Sequence, residues 1–249
     1  MLLEVCVDTI EGAKAAVRGG AGRIELCSAL SEGGLTPSLG LMKAAADLPV
    51  PCFAMIRPRG GMFHFSTDEE QIMLSDIEAS KSAGLAGVVL GAQGRDNNLD
   101  TALLARLSER ANGMDRTLHR VIDVVPDPLE SLDIAIDLAF DRVLTSGAAP
   151  FAQDGVQLIA KMVDRANGRI SIMPGCGLNP ANVCEVIAAT DVTEIHASCS
   201  IVAPGDPAFS DFGPASGSKI TSETAVRDMV AAIQRTAKNW RSCPVEERH

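Results

Sequence analysis

Short apolar runs alternate with amphipathic stretches along the whole chain. The runs Leu2–Cys6, Arg23–Leu26, Cys52–Ile56, Gly87–Leu90, Arg116–His119, Arg142–Leu144, Ile170–Met173 and Glu194–His196 are brief, and several are rich in Val, Ile or Leu. That is the pattern of strands buried on both faces. The stretches between them carry helix punctuation. Thr36-Pro37 predicts an N-cap followed by proline in the first turn, and Thr67-Asp68-Glu69-Glu70 a capping box closed by Gly84. Asp127-Pro128 repeats the signal ahead of a stripe of Leu129, Leu132, Ile136 and Ala139. Asn179-Pro180 opens the next-to-last helix, and Val226, Met229, Val230 and Ile233 share one side of the last. Strand–helix alternation with short connections predicts parallel pairing and right-handed crossovers. Eight such units close a barrel, so the expected class is α/β, a (β/α)₈ TIM barrel. A doubly wound sheet is the competing architecture, but no G-x-G-x-x-G follows the first strand.

The chain has 249 residues, close to the roughly 250 typical of this barrel. No composition break divides it, so one domain is expected over residues 1–241, followed by a polar tail at 242–249. Residues 203–218, rich in Gly, Pro and Ser, read as a long irregular segment after the eighth strand. The net charge of −10 without a basic stretch argues against nucleic acid and against an anionic membrane surface. No run approaches the length of a membrane span. Seven scattered cysteines with no C-x-x-C pair suit a reducing compartment, so a cytoplasmic location is expected.

In a TIM barrel, ligands and chemistry sit at the C-terminal ends of the strands. There this sequence places Glu4 and Cys6 on strand one and Glu25 and Cys27 on strand two. Arg57 and Arg59 follow strand three, and His119, Arg120 and Asp123 follow strand five. Ser146 and Gly147 follow strand six, Gly175 and Gly177 strand seven, and His196 ends strand eight. Two-residue spacing puts Glu4 with Cys6, and Glu25 with Cys27, on common faces. If both pairs point inward, the thiols meet at the rim with the carboxylates one layer deeper. Two thiolates would suit a soft ion such as Cu(I); equally, free cysteines pack as small hydrophobes. Buried Glu4 and Glu25 need counter-charges, for which Arg57, Arg59 and Arg120 are the expected source. The result is either an ion-pair network or an acid–base site, with Glu25, His119 and Asp123 moving protons on a small anionic or phosphorylated molecule. Arg57, Arg59, Ser146 and Gly177 would then hold the anion. The glycines either let backbone N–H groups approach that ligand or simply make tight turns.

Several motifs then resemble one family. They are Glu4-Val5-Cys6, Gly22-Arg23-Ile24-Glu25-Leu26-Cys27, Glu32-Gly33-Gly34-Leu35-Thr36-Pro37-Ser38, Ile56-Arg57-Pro58-Arg59-Gly60-Gly61, His119-Arg120 with Asp123, Leu144-Thr145-Ser146-Gly147 and Gly175-x-Gly177. In this order they resemble the CutC family of copper homeostasis proteins. The resemblance implies a TIM barrel, a cytoplasmic homo-oligomer and a role in copper handling, with Cu(I) held by Cys6 and Cys27. The chain departs from the family pattern at Met62-Phe63-His64-Phe65-Ser66 and around His119-Arg120.

Overall fold

A computed structural model describes residues 1–204 and 219–242, with side chains through residue 235. Eight parallel strands form the expected barrel: β1 (Leu2–Val7), β2 (Arg23–Leu26), β3 (Cys52–Met55), β4 (Gly87–Leu90), β5 (Asp115–Leu118), β6 (Arg142–Thr145), β7 (Ser171–Pro174) and β8 (Glu194–Ala197). They are hydrogen-bonded in the order β7-β6-β5-β4-β3-β2-β1-β8, and β8 returns beside β7 to bring the barrel nearly to closure. Between them run α1 (Ile10–Gly19), α2 (Leu39–Ala46), α3 (Thr67–Ala83), α4 (Thr101–Arg110), α5 (Pro128–Asp137), α6 (Val156–Ala166) and α7 (Val183–Thr190). The last helix, α8 (Glu223–Ser242), buries Val226, Met229 and Ile233 against the barrel.

Local chemistry explains the helix ends and corrects three expected ones, the first being α7, which starts at Val183 behind Asn182 and not at Asn179-Pro180. The capping box is Ser66 with Glu69, one residue earlier than Thr67: Ser66 Oγ accepts from Glu69 N–H at 3.3 Å, and Glu69 Oε2 accepts from Ser66 N–H at 2.7 Å. Ser66–Glu69 and Thr67–Glu70 both have the three-residue spacing that a capping box needs, but Glu70 is taken up by Arg106, at 2.5 and 2.9 Å. Likewise Ser38, not Thr36, caps α2 by accepting from Leu41 N–H. Thr36 instead uses Oγ1 to accept from Arg57 N–H, tying the first-turn region to the loop after β3. Asp127 and Pro128 open α5 as expected, and Gly84 closes α3 in the left-handed region.

The segment expected at residues 203–218 is bracketed by an antiparallel pair, β9 (Ser200–Val202) and β10 (Lys219–Thr221). Residues 205–218 lie outside the described residues, as does the tail expected at 242–249 except for Ser242, which ends the last helix. Among the described residues, no helix is long and apolar enough to cross a membrane.

Alternation divides the strand residues between two environments. Leu3, Val5, Ile24, Leu26, Ala54, Val88, Leu90, Val143 and Ile172 belong to the continuous core between sheet and helices. Each large buried side chain there contributes about 1.5–3 kcal/mol. Inside the barrel the apolar content is small: Cys27, Phe53, Met55 and Val89 form a separate buried cluster. Much of the remaining interior is charged. Near the N-terminal ends of the strands, Arg23 donates to both Glu4 and Glu194. Arg142 donates to Glu194 at 3.2 Å, Asp115 at 3.2 Å and Thr117 at 3.3 Å. Both guanidiniums stack on the Phe53 ring, 5.1 and 4.9 Å from its centre.

Candidate functional site

The register between strands decides what meets at the mouth. Cys6 pairs in register with Glu25, Glu4 with Arg23 on one side and with His196 on the other. Strand stagger is a necessity of closing a tilted barrel. It corrects the expected side-by-side placement of equivalent residues: Cys6 lies level with Glu25, while Cys27 sits one step higher. The sulfur of Cys27 is fully buried beside Gly34, where a Cβ would come within 3.0 Å of it. Cys6 is 9 % exposed and lines the cavity.

That cavity, about 430 Å³, opens at the C-terminal ends of the strands. Among its lining residues are Cys6, Glu25, Met55, Arg57, Phe63, His119, Arg120, Cys176, Gly177 and His196. At one end, Cys6, Glu25 and His196 each bring a potential ligand atom within 4.8 Å of the others. His196 Nδ1 bonds Glu4 Oε1 at 2.8 Å, and its Nε2 lies 3.7 Å from Glu25 Oε2. Burial would raise the Glu4 carboxyl, but the His196 hydrogen bond and the Arg23 charge outweigh it and hold it at about 2. Among the described residues Glu25 has no hydrogen bond to a cation; His196 Nε2 stands 3.7 Å from it. Burial, opposed by His196 and reinforced by the Glu4 charge, raises it to about 7. His196 is driven well above its ordinary value: burial opposes its charge, but Cys6, Glu25 and Glu4 surround it with acidic groups. Burial, then the Glu25 charge, push the Cys27 thiol well up.

Across the cavity stands His119. Gly91 makes room for it; a Cβ there would fall 2.4 Å from the imidazole Cε1. Its Nδ1 accepts from Val121 N–H at 3.1 Å, so the ring proton of the neutral form is on Nε2. Burial and the nearby Arg57 charge lower its pKa to about 3. Phe63 packs on it with ring centres 4.7 Å apart, and the Arg57 guanidinium lies 5.0 Å above Phe63. Arg57 itself donates to the carbonyls of Glu32, Gly34 and Gly61 at 2.8, 3.2 and 2.8 Å. Of the residues lining this cavity, Glu25, His119 and Arg57 each have a buried atom without a hydrogen-bond partner: Oε1, Nε2 and Nε.

The structure brings Glu4, Glu25, Cys6, Arg57, Arg120, His119, His196 and Gly177 to or directly behind the cavity. It does not bring Arg59, Asp123, Ser146, Gly147 or Gly175 to its wall. Arg59 pairs with Glu69 and donates to the carbonyls of Met62 and His64, folding the loop after β3. Asp123 accepts from Arg120, Thr145, Ser146 and the Ala148 N–H. With its acceptors engaged it orders the loop after β6 and is placed to position Arg120. Gly147, at φ +70°, is required by the close passage of Gly155, whose carbonyl oxygen a Cβ would meet at 2.3 Å. Gly175 leaves space for Leu144 and His196.

The counter-charge expected from Arg57, Arg59 and Arg120 comes instead from Arg23, with Arg142 and Glu194 extending the network. Alternation carried that signal, because Arg23 lies two residues before Glu25 and so shares its face. Cys176, at φ +80°, is a further cavity residue; its Sγ lies 3.2 Å from the carbonyl oxygen of Pro150.

Residues 1–201 match the model of the CutC family. A CutC family protein from Agrobacterium fabrum is 52% identical over 232 residues, 92% of each chain. One from Caulobacter vibrioides is 46% identical over 239 residues, 94% of this chain and 97% of its own. The crystal structure of CutC from Streptococcus agalactiae, whose name associates it with copper homeostasis, superposes with a TM-score of 0.76 at 30% identity. It covers 80% of this chain and 98% of its own. Sequence and architecture agree: this chain is a member of the CutC family.

Proposed function

We propose that the barrel mouth binds a small anionic molecule and acts on it, as an enzyme site does. The observation that carries this reading is the set of three buried, unpartnered polar atoms at one cavity: Glu25 Oε1, His119 Nε2 and Arg57 Nε. Leaving a buried polar group unpaired costs about 1–3 kcal/mol. A cavity with several such groups is organised for a ligand that pairs them. The neutral His119 donates from Nε2 to an oxygen of the ligand, and Arg57 and Arg120 supply positive charge. Glu25, raised to about 7, is suited to exchange a proton near neutral pH. Asp123 acts through Arg120 and not on the ligand. A reducing, cytoplasmic setting keeps Cys6 as a thiol. The test is a panel of phosphorylated and carboxylated metabolites scored by thermal shift. The reading requires at least one compound to stabilise the wild type more than the His119→Ala variant; a panel in which none does overturns it.

Copper(I) binding is the second reading, supported by the name of the Streptococcus relative and by the thiol in the cavity. Cu(I) selects thiolate and thioether donors. Cys6 supplies one. The other expected thiol, Cys27, is a register step higher, buried with Phe53, Met55 and Val89 and held protonated by burial. The donors grouped around Cys6 are a carboxylate and an imidazole, which fit a soft, sulfur-selecting ion poorly. Anaerobic Cu(I) titration against a competing chelator tests this reading; equal affinity in a Cys6→Ala/Cys27→Ala variant rejects those ligands.

A further inference from the structure

We propose that Cys6, Glu25 and His196 hold one divalent transition-metal ion of borderline softness, of the zinc or cobalt class, with an open coordination position facing the mouth cavity. This rests on reading the mouth as a reaction site; in the metal-bound protein Glu25 is a ligand whose proton the ion has displaced, in place of the proton carrier of the metal-free site.

Three strands deliver the donors by register: β1 brings Cys6 level with Glu25 on β2, and β8 sets His196 beside Glu4 one layer below. The three ligand atoms lie within 4.8 Å of one another. Two nitrogen or oxygen ligands bound tetrahedrally to one zinc-class ion stand roughly 3.3–3.6 Å apart. The separation between Glu25 Oε2 and His196 Nε2 is 3.7 Å, too long for a hydrogen bond and close to that spacing. Glu25 Oε1, buried and unpartnered, adds a donor on the same carboxylate.

The layer behind the donors is built as metal sites build it. His196 bonds through Nδ1 to Glu4, which directs Nε2 outward, and Glu4 is paired in turn with Arg23. A carboxylate behind a ligating histidine fixes the ring and raises its basicity. Charge also balances. Glu4 and Arg23 neutralise each other, and a divalent cation that displaces the protons of His196 and Cys6 takes over as the counter-charge of the thiolate and the Glu25 carboxylate. One sulfur, one nitrogen and one oxygen donor suit zinc or cobalt(II), whereas Cu(I) selects sulfur. Three protein ligands with a fourth position open is the arrangement of catalytic zinc sites. Here that position faces a cavity also lined by Arg57 and His119.

The experiment titrates cobalt(II) into chelator-stripped, reduced full-length protein under anaerobic conditions, with circular dichroism confirming that each variant is folded. The expected result is saturable one-to-one binding with a thiolate-to-cobalt charge-transfer band in the near ultraviolet. Cys6→Ser abolishes the band while Cys27→Ser leaves it in place. Glu25→Gln and His196→Gln weaken binding at least tenfold, and Glu4→Gln weakens it about 10–100-fold. Zinc displaces the cobalt. The proposal is overturned by folded wild type that binds no cobalt or zinc, or by a band that survives Cys6→Ser. It is equally overturned if binding depends on Cys27 and not on Glu25 or His196, which is the signature of a two-thiol copper site. Running the metabolite panel on stripped protein separates the two ideas. A compound that stabilises the metal-free protein keeps the anion site even if cobalt fails to bind, and one-to-one cobalt binding keeps the metal site even if no metabolite does.

Discussion

Replacing Arg23 with methionine is the most direct test of the charged interior. Arg23 is 4 % exposed and is the guanidinium in contact with Glu4, which is fully buried, and it shares Glu194 with Arg142. Methionine keeps much of the side-chain length over Phe53 but removes the charge. Glu194 retains Arg142, whereas Glu4 keeps only His196. Breaking a buried pair by removing one partner costs about 3–5 kcal/mol. For a chain of this size that lowers Tm by about 6–20 °C. The measurement is urea unfolding of both proteins at pH 7, with an unchanged m-value showing that the same structure unfolds. Two controls sharpen it. Adding Glu4→Gln to Arg23→Met removes the uncompensated charge and recovers at least half of the loss. Lowering the pH toward 4 shrinks the difference, because the variant's Glu4 takes up a proton that the wild type, holding that carboxyl at about 2, refuses. A loss below about 1 kcal/mol, well under the buried-pair range, would refute the role given to Arg23. So would a double variant no more stable than Arg23→Met.

Other outcomes follow from the same structure. His119 is held neutral, with its pKa lowered from 6.5 to about 3, so between those values the unfolded chain binds the extra proton and stability falls as the pH drops. The slope from this residue is at most about 1.4 kcal/mol per pH unit; His119→Asn, which preserves an acceptor for Val121 N–H, removes it in denaturant titrations run from pH 7 to 4. Asp123→Ala strips the acceptor from Arg120, Thr145, Ser146 and Ala148, and is expected to cost about 2–4 kcal/mol. Hydrogen exchange at the Ser146 and Ala148 amides will rise well above that at the β1 amides; equal protection in variant and wild type would contradict the hub role. Gly147→Ala places a Cβ 2.3 Å from the Gly155 carbonyl oxygen at a positive φ, for an expected loss of about 1–3 kcal/mol. Gly113→Ala, also at positive φ but with open space around it, is the control that isolates the close contact: an equal loss at both positions would assign the cost to φ alone.

Much of this protein is legible in its sequence because strand alternation is a local property. Leu3, Val5, Ile24 and Leu26 face the helices and Glu4, Cys6, Glu25 and Cys27 face inward for one reason: successive side chains of a strand point to opposite sides. Parallel strands joined by helices follow from the same reading, and so does the concentration of chemistry at one end. Helix ends were legible to within one to three residues, since caps depend on which of several nearby side chains takes the bond; the shifts from Thr67 to Ser66 and from Asn179 to Asn182 show the limit. Register was not legible. No local rule says that Cys6 stands level with Glu25 and below Cys27, or that Glu4 meets His196, 192 residues away in the chain. Stagger is set by closure of all eight strands together. It alone decided that the carboxylate deep in the barrel is neutralised by Arg23 at its own level, and that the thiol at the mouth meets an imidazole and a carboxylate instead of a second thiol.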